Sequence, residues 1–317
     1  MPHISVVSPV YRAEECIGEL CRRLKLALGT LTEDYEIILV EDCSPDASWK
    51  MIEKEASTDD RVRGMRLARN FGQHFAITAG LDVAAGDWVV VMDCDLQDPP
   101  EQIPNLYSKA QGGYKVVVAS FEQRSESVLR QWLSRKFWGG LSWMAGIEFD
   151  PKIGNFRIMS KDVVDGFKCY REQLRFLGGI LSLMGFNTAY VSMPRADRFS
   201  GRSSYNFRKL MATAIDIVMA YSDKPLKISV TLGLIMAALS IMTGVVVFAL
   251  SVANVIEVPG WASVMVSLYL IGGLIIANLG VIGYYLGRTY DEAKRRPLYM
   301  IDKVTFDNRK HVFTGNR

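Results

Sequence analysis

The sequence predicts an α/β protein: a mostly parallel sheet with helices on both faces, followed by two C-terminal transmembrane helices. Three observations predict it. Short Val- and Ile-rich runs alternate with helix-like stretches from His3 to Gly112. Polar or aromatic clusters follow three of those runs, where open parallel sheets bind their ligands. The segment Ile228–Gly287 contains no Lys, Arg or Asp and a single Glu, Glu257.

The elements follow in order. Strand-like runs cover His3–Pro9, Tyr35–Glu41, Val62–Leu67, Trp88–Met92 and Lys115–Ala119. Between them, helical spacing covers Glu14–Leu28, Ala47–Ser57, Gln73–Ala84 and Glu101–Gly112. Residues 120–227 are more mixed. A helix over Ser127–Ala145 carries Arg130, Trp132, Arg135, Lys136, Phe137, Trp138 and Trp143, and a short strand over Ala189–Met193 leads into a turn-rich patch, Arg195–Tyr205. In Asn206–Tyr221, Phe207, Leu210, Met211, Ala214, Ile215, Val218 and Met219 recur at helical spacing. Such a helix just before an apolar run is expected to lie amphipathically at a membrane interface. Ile228–Leu250 and Ala262–Leu286 are 23 and 25 residues long. A hydrocarbon core about 30 Å thick needs about 20 helical residues, so both can span it. The expected division is therefore a cytoplasmic domain over 1–204, a juxtamembrane helix over 205–227, two spans with a short external loop over 228–286, and a basic tail over 287–317.

Composition narrows the class. With 49% hydrophobic and 22% charged residues and a mean hydropathy of +0.11, the chain is too apolar for disorder. Two long apolar runs exclude both a purely soluble protein and a many-span carrier. The net charge of +3 arises in the tail, where eight basic residues face four acidic ones; residues 1–227 hold 29 of each sign. The linker Ser251–Trp261 has no Lys or Arg. The positive-inside rule then predicts an inner-membrane, multi-pass protein with both termini cytoplasmic. Arg288, Lys294, Arg295 and Arg296 supply that signal and an attraction to anionic lipid. No cleavable leader is expected from the N-terminal MPHISVVSPVY. Cys16, Cys21, Cys43, Cys94 and Cys169 are odd in number and lack paired zinc spacing, which predicts ordinary packing residues in a reducing compartment.

Three clusters carry chemistry. Asp93 and Asp95 follow the apolar run Trp88–Met92 with one residue between them, so both point to one side and can share a hard cation. Pro99 and Pro100 close that loop. Tyr11, just past Pro9, offers a ring on which a base could stack. In Glu41-Asp42-Cys43-Ser44-Pro45-Asp46, Ser44 or Asp46 can cap the next helix, which leaves Asp42 without a structural task.

Together with Arg69-Asn70-Phe71-Gly72-Gln73, Gly154-Asn155-Phe156-Arg157 and the Arg198–Tyr205 segment, these residues resemble family 2 glycosyltransferases, whose donor domain is the Rossmann-like GT-A fold. Lys224-Pro225-Leu226 before two spans narrows the resemblance to the polyprenyl-phosphate sugar transferases, the group of the dolichol-phosphate mannose and bactoprenol glucose enzymes. The resemblance implies a nucleotide sugar, a polyprenyl (undecaprenyl) phosphate acceptor, a lipid bilayer around the spans and a homo-oligomer, a tetramer by analogy; no nucleic-acid partner is expected. It assigns Pro9, Tyr11, Asp42, Asn70, Asp93, Arg198 and Arg202 to the nucleotide sugar. Asp93, Asp95 and Gln97 are assigned to Mg²⁺ or Mn²⁺, and Arg130, Ser134 and Arg135 to the acceptor phosphate. Asp93, Asp95, Asn155 and Arg157 are the expected catalytic set.

The chain departs from the family pattern at Ala13, where Glu is usual, at Ser204, where Lys is usual, and at Asn155, where the motif usually has Asp. An amide accepts no proton, but a phosphate monoester has its second pKa near ~6 and is already largely a dianion at neutral pH. The expected reaction is one in-line displacement with inversion. A processive polysaccharide synthase and a membrane-tethered nucleotide-sugar-binding protein without activity are the rival readings. The sugar itself is not legible in the motifs.

Overall fold

The computed structural model describes residues 3–121, 128–146, 153–194, 207–253 and 260–306. Five strands and four helices alternate first: β1 (Ile4–Val10), α1 (Ile17–Gly29), β2 (Tyr35–Glu41), α2 (Ser48–Thr58), β3 (Val62–Leu67), α3 (Gln73–Val83), β4 (Trp88–Val91), α4 (Ile103–Gln111, after one 3₁₀ turn at Pro100–Gln102) and β5 (Val116–Phe121). Next come α5 (Val128–Ala145), β6 (Ile153–Ser160), α6 (Lys161–Cys169), α7 (Leu177–Met184), β7 (Thr188–Met193) and α8 (Phe207–Tyr221). The chain continues through α9 (Lys224–Val252), α10 (Trp261–Ala293) and a last strand, β8 (Ile301–Val304).

One eight-stranded sheet results, in the order β7-β5-β6-β4-β1-β2-β3-β8. The four central strands β4-β1-β2-β3 run parallel, with Val6 opposite both Ile37 and Val90. β1 and β2 are buried along their full length, as expected of strands with helices on both faces. Two apolar layers flank the sheet. One joins Leu20, Leu24, Ile52 and Leu106 to one face; the other joins Ile77, Leu81, Phe167 and Ile180 to the opposite face.

Helix α3 lies close on β1 because Gly80 has no side chain. A Cβ there would run into Val7 and come within 3.1 Å of Val40 Cγ2. Gly80→Ala is expected to destabilise the domain by about 1–3 kcal/mol, the usual scale of overpacking. A thermal midpoint equal to that of the unaltered protein would contradict this packing.

The sequence reading missed four elements. β6 is antiparallel to both neighbours and sits between β4 and β5, with Val91 opposite Arg157. α6 and α7 also went unread. β8, inside the expected basic tail, pairs antiparallel with β3. Its anchors are local: Gly64 N–H donates to Thr305 Oγ1 (2.8 Å), Thr305 N–H to Gly64 O (3.0 Å), and Ala68 N–H to Met300 O (2.9 Å). The tail therefore contributes a strand to the sheet as well as charge.

Helix α8 has a protein-facing stripe, and one further expectation, for the cysteines, changes. The buried stripe of α8, Ala214, Ile217 and Val218, contacts protein: Ile217 and Val218 cluster with Ala145, Leu141 and Met144 of α5 and with Phe176. Among the cysteines, Cys169 is exposed and Cys43 half-buried, so only Cys16, Cys21 and Cys94 are buried packing residues; all five are free thiols.

Segments Lys224–Val247 and Ser267–Ala293 are long and apolar enough to cross a membrane. Their apolar side chains face outward: Ile241 is 70%, Ile276 72% and Tyr269 78% exposed. Such surfaces fit membrane association. The end of α10 is tied to the sheet domain. Gln173 N–H donates to Glu292 Oε1 (2.7 Å), its Nε2 to Arg296 O (2.8 Å), and Tyr299 O–H to Asp82 Oδ2 (2.7 Å). Arg288 and Tyr284 of α10 both bond Asp216 of α8.

Candidate active site

The loops after β1, β2 and β4 meet at the carboxyl rim of the parallel strands. Each contains a non-glycine residue with left-handed backbone: Arg12 (φ 53°), Cys43 (φ 50°) and Leu96 (φ 61°). Such conformations cost on the order of 1–3 kcal/mol each and concentrate at functional sites. The first two loops are stitched together. Arg12 N–H donates to Ser44 Oγ (2.8 Å), Ser44 Oγ to Asp46 Oδ1 (2.6 Å), and Ala47 N–H to Glu14 Oε2 (2.7 Å). Asp46 also accepts from Ser48 N–H (3.2 Å); the N-cap of α2 is Ala47, with no side-chain cap, so neither Ser44 nor Asp46 takes the capping position expected of them. Beside them lies a surface cavity of about 340 Å³ lined by Arg12, Ala13, Glu14, Glu15, Cys16, Pro45 and Asp46. Tyr11 is 44% exposed, whereas Pro9 is buried in β1 opposite Val40.

Asp42 has a task that the sequence left unexplained. Its buried carboxylate accepts from Phe71 N–H (2.7 Å) and Gly72 N–H (2.8 Å), and its carbonyl accepts from Asn70 Nδ2 (3.2 Å). Burial pushes the Asp42 carboxyl upward, and the two backbone N–H groups oppose that. Gly72, at φ 102°, makes the bend that starts α3. Asp42 thus fixes the loop that delivers Gln73, while Asn70 itself is exposed.

The turn after β4 alternates. Asp93, Asp95 and Gln97 are half-buried, while Cys94, Leu96 and Asp98 are buried beneath them. Asp98 Oδ2 accepts from Asp93 N–H (3.1 Å) and Asp95 Oδ1 from Gln97 N–H (3.2 Å). Burial, with the Asp93 charge next door, pushes the Cys94 thiol up to about 12, so it stays protonated.

β6 supplies the other wall. The register that sets Val91 opposite Arg157 carries Asn155, two residues earlier on an antiparallel strand, to the level of Asp93. Asn155 Nδ2 donates to Asp93 Oδ1 (3.2 Å), and Gln73 Nε2 donates to the same oxygen (2.7 Å). An ionised carboxylate only accepts, so both amides must present nitrogen. Arg157 is buried; its Nε and Nη2 donate to the carbonyls of Asn155 (3.1 Å) and Gly154 (2.7 Å). Burial pushes its pKa down to about 10, against the pull of Tyr190, Asp93 and Asp98, so it remains a cation at neutral pH. Arg157 therefore holds the Asn155 backbone from behind. His74, next to Gln73, is lowered to about 4 by burial, with Arg157 and Arg175 adding to the effect. It is neutral at physiological pH.

Gln73, His74 and Asp98 were not assigned from sequence. The signal for Gln73 was its place directly after the glycine that opens a helix; that of Asp98 was its place in the same acidic run. Arg130, Ser134 and Arg135 lie on α5, whose backbone alone is described over that stretch; Arg198 and Arg202 lie outside the described residues. α5 ends beside the first apolar helix, where the Lys224 ammonium lies 5.0 Å from the Trp143 ring.

Among the described residues no group of three His, Cys, Asp or Glu side chains forms a cation cage. Asp93, Asp95 and Gln97 would offer two carboxylates and one amide, with the nearby Cys94 thiol protonated. That suits a hard divalent ion such as Mg²⁺ or Mn²⁺, which keeps waters and takes most remaining ligands from a substrate's phosphates.

A mixed α/β sheet with paired carboxylates at its rim and an antiparallel strand closing them in is the GT-A architecture of glycosyltransferases. The chain belongs to glycosyl transferase family 2, whose family model matches residues 5–174. It is 35% identical over 303 residues to the bactoprenol glucosyl transferase of Shigella phage SfII, covering 95% of this chain and 97% of that one. It is 37% identical over 300 residues to an uncharacterized glycosyltransferase of Bacillus subtilis, covering 94% and 93%. Among solved structures, a glucosyl-3-phosphoglycerate synthase from Mycobacterium tuberculosis, in complex with Mn²⁺, uridine diphosphate and phosphoglyceric acid, shares the fold. Its TM-score is 0.51 at 17% identity, over 69% of this chain and 76% of that chain.

Proposed function

We propose that the protein transfers a hexose, glucose by its relatives, from a nucleoside-diphosphate donor to a polyprenyl phosphate at the membrane. One observation carries this reading. The likeness to bactoprenol glucosyl transferases extends over 95% of the chain and so includes both apolar helices. An acceptor that stays in the bilayer calls for such a tether. Both termini face the cytoplasm in this reading, as the basic tail requires.

The reaction is a single displacement. A lipid-phosphate oxygen forms a bond to the anomeric carbon, the bond from that carbon to the donor phosphate breaks, and the nucleoside diphosphate leaves with the electron pair. Inversion follows from the in-line geometry. Asp93 and Asp95, with Gln97 beside them, would hold a divalent ion, and that ion would supply charge stabilisation to the leaving diphosphate. Tyr11 and the cavity beside it receive the nucleoside, and Asp42 shapes the neighbouring loop. Asn155 removes no proton, because the acceptor arrives ionised; it orients Asp93 and the reacting groups. The acceptor phosphate is assigned to Arg130, Ser134 and Arg135, and the donor diphosphate to Arg198 and Arg202, by the family resemblance.

The test is direct. With undecaprenyl phosphate and radiolabelled UDP-glucose, label is expected in an organic-extractable, mild-acid-labile lipid. Insoluble polymer would identify a processive synthase, and donor binding without transfer would identify a sensor. Arg130→Ala is expected to raise the KM for lipid phosphate while UDP affinity stays unchanged. Equal loss of both would place Arg130 on the donor instead.

A further inference from the structure

Two neutral amides converge on one carboxylate oxygen. Gln73 Nε2 at 2.7 Å and Asn155 Nδ2 at 3.2 Å both donate to Asp93 Oδ1. They come from different parts of the fold, the first residue of α3 and the third residue of β6. Each has its own support behind it. Asp42 grips the N–H groups of Phe71 and Gly72 just before Gln73, and Arg157 grips the carbonyls of Gly154 and Asn155.

We infer that Gln73 is a positioning residue: with Asn155 it forms an amide clamp that fixes the Asp93 carboxylate for a cation-bound nucleoside diphosphate. The inference rests on the transferase reading above and adds a residue that reading does not use. Two N–H donors on Oδ1, arriving from two different elements, fix the orientation of the Asp93 carboxylate. The chemistry of the two amides matters. A Lys at either position would neutralise Asp93, and an Asp or Glu would repel it. An amide orients the carboxylate without adding a charge of its own. Gln73 is exposed, so its bond to Asp93, rather than apolar burial, holds the side chain in place.

The experiment uses the full-length protein in detergent and two readouts. Binding of UDP, with and without Mn²⁺, is measured by titration calorimetry, and kcat and KM are measured with UDP-glucose. Gln73→Ala is expected to weaken Mn²⁺-dependent UDP binding by roughly 10- to 100-fold, the scale of a lost hydrogen bond to a charge. Metal-free UDP binding and the thermal midpoint should not change. Gln73→Glu should be worse than Gln73→Ala, because it sets a second negative charge against Asp93. In an Asp93→Asn background, Gln73→Ala should add little further loss, as expected of two residues acting through one interaction.

Unchanged Mn²⁺-dependent binding in Gln73→Ala overturns the clamp, as does a glutamate variant no worse than alanine or a fully additive double variant. The broader reading fails differently. Unaltered protein that binds Mn²⁺ and UDP but moves no sugar to lipid overturns the transferase assignment and leaves the clamp standing. Unaltered protein that binds no Mn²⁺ with UDP overturns both.

Discussion

Asp95→Ala is expected to lower the initial rate by on the order of 10²–10³-fold, the scale of losing one electrostatic stabiliser of the transition state. Folding should be nearly untouched. Asp95 is half-buried at a strand end, where its carboxylate accepts a turn contact from Gln97 N–H. The check is a rate at saturating donor with Mn²⁺ present, beside a melting curve. Excess chelator on the unaltered protein should reproduce the loss, and added Mn²⁺ should reverse it. Near-normal turnover in the variant, or in chelator, would overturn the cation-dependent mechanism.

Asn155→Asp should also cost activity, at least ~10-fold at neutral pH. The exchange puts an oxygen where Nδ2 now lies 3.2 Å from Asp93 Oδ1. Two unit charges 4 Å apart repel by about 4 kcal/mol at the effective dielectric near a protein surface. Repulsion raises one carboxyl of such a pair above its ordinary value, so that the pair takes up one shared proton as pH falls. The sign follows. A raised acid pKa favours the folded, proton-sharing form at low pH and loses that contribution as pH rises through the raised value. When protonated, the introduced carboxyl would donate to Asp93 much as the amide does. Activity of the variant should therefore recover toward that of the unaltered enzyme as pH falls. A gain of ~10-fold or more at neutral pH would instead show that a general base had been missing.

The parallel half of the fold was legible because its signals are local. β1 to β5 are short apolar runs between helical stretches, and all were placed within a few residues. β6 escaped for a physical reason. Gly154, Asn155 and Arg157 interrupt its apolar character, and its burial comes from lying between β4 and β5, a non-local fact. β8 is four residues, Ile-Asp-Lys-Val, in a charged tail; only the open flank of β3 makes it a strand. The site divides in the same way. The carboxylate pair announced itself by spacing. The partners of Asp93 did not, since Gln73 and Asn155 lie 20 residues before and 62 after it and meet only through the sheet. Likewise, the grip of Asp42 on the start of α3 requires knowing that β3 pairs with β2.

The last strand sets an order of assembly during synthesis. β8 leaves the ribosome only after both apolar helices, so β3 waits with an open edge while everything from Leu67 to Ile301 is made. At ordinary elongation rates that interval is on the order of ten seconds or more. An unpaired strand edge is a template for mispairing with other chains. Completion of the sheet is thus deferred until the hydrophobic segments have been handed to the bilayer. A fragment cut before the first of them keeps the carboxylates at the rim and loses the strand that closes the β3 flank. Such a fragment is expected to aggregate on expression, and supplying residues 299–306 as a separate peptide should improve its yield.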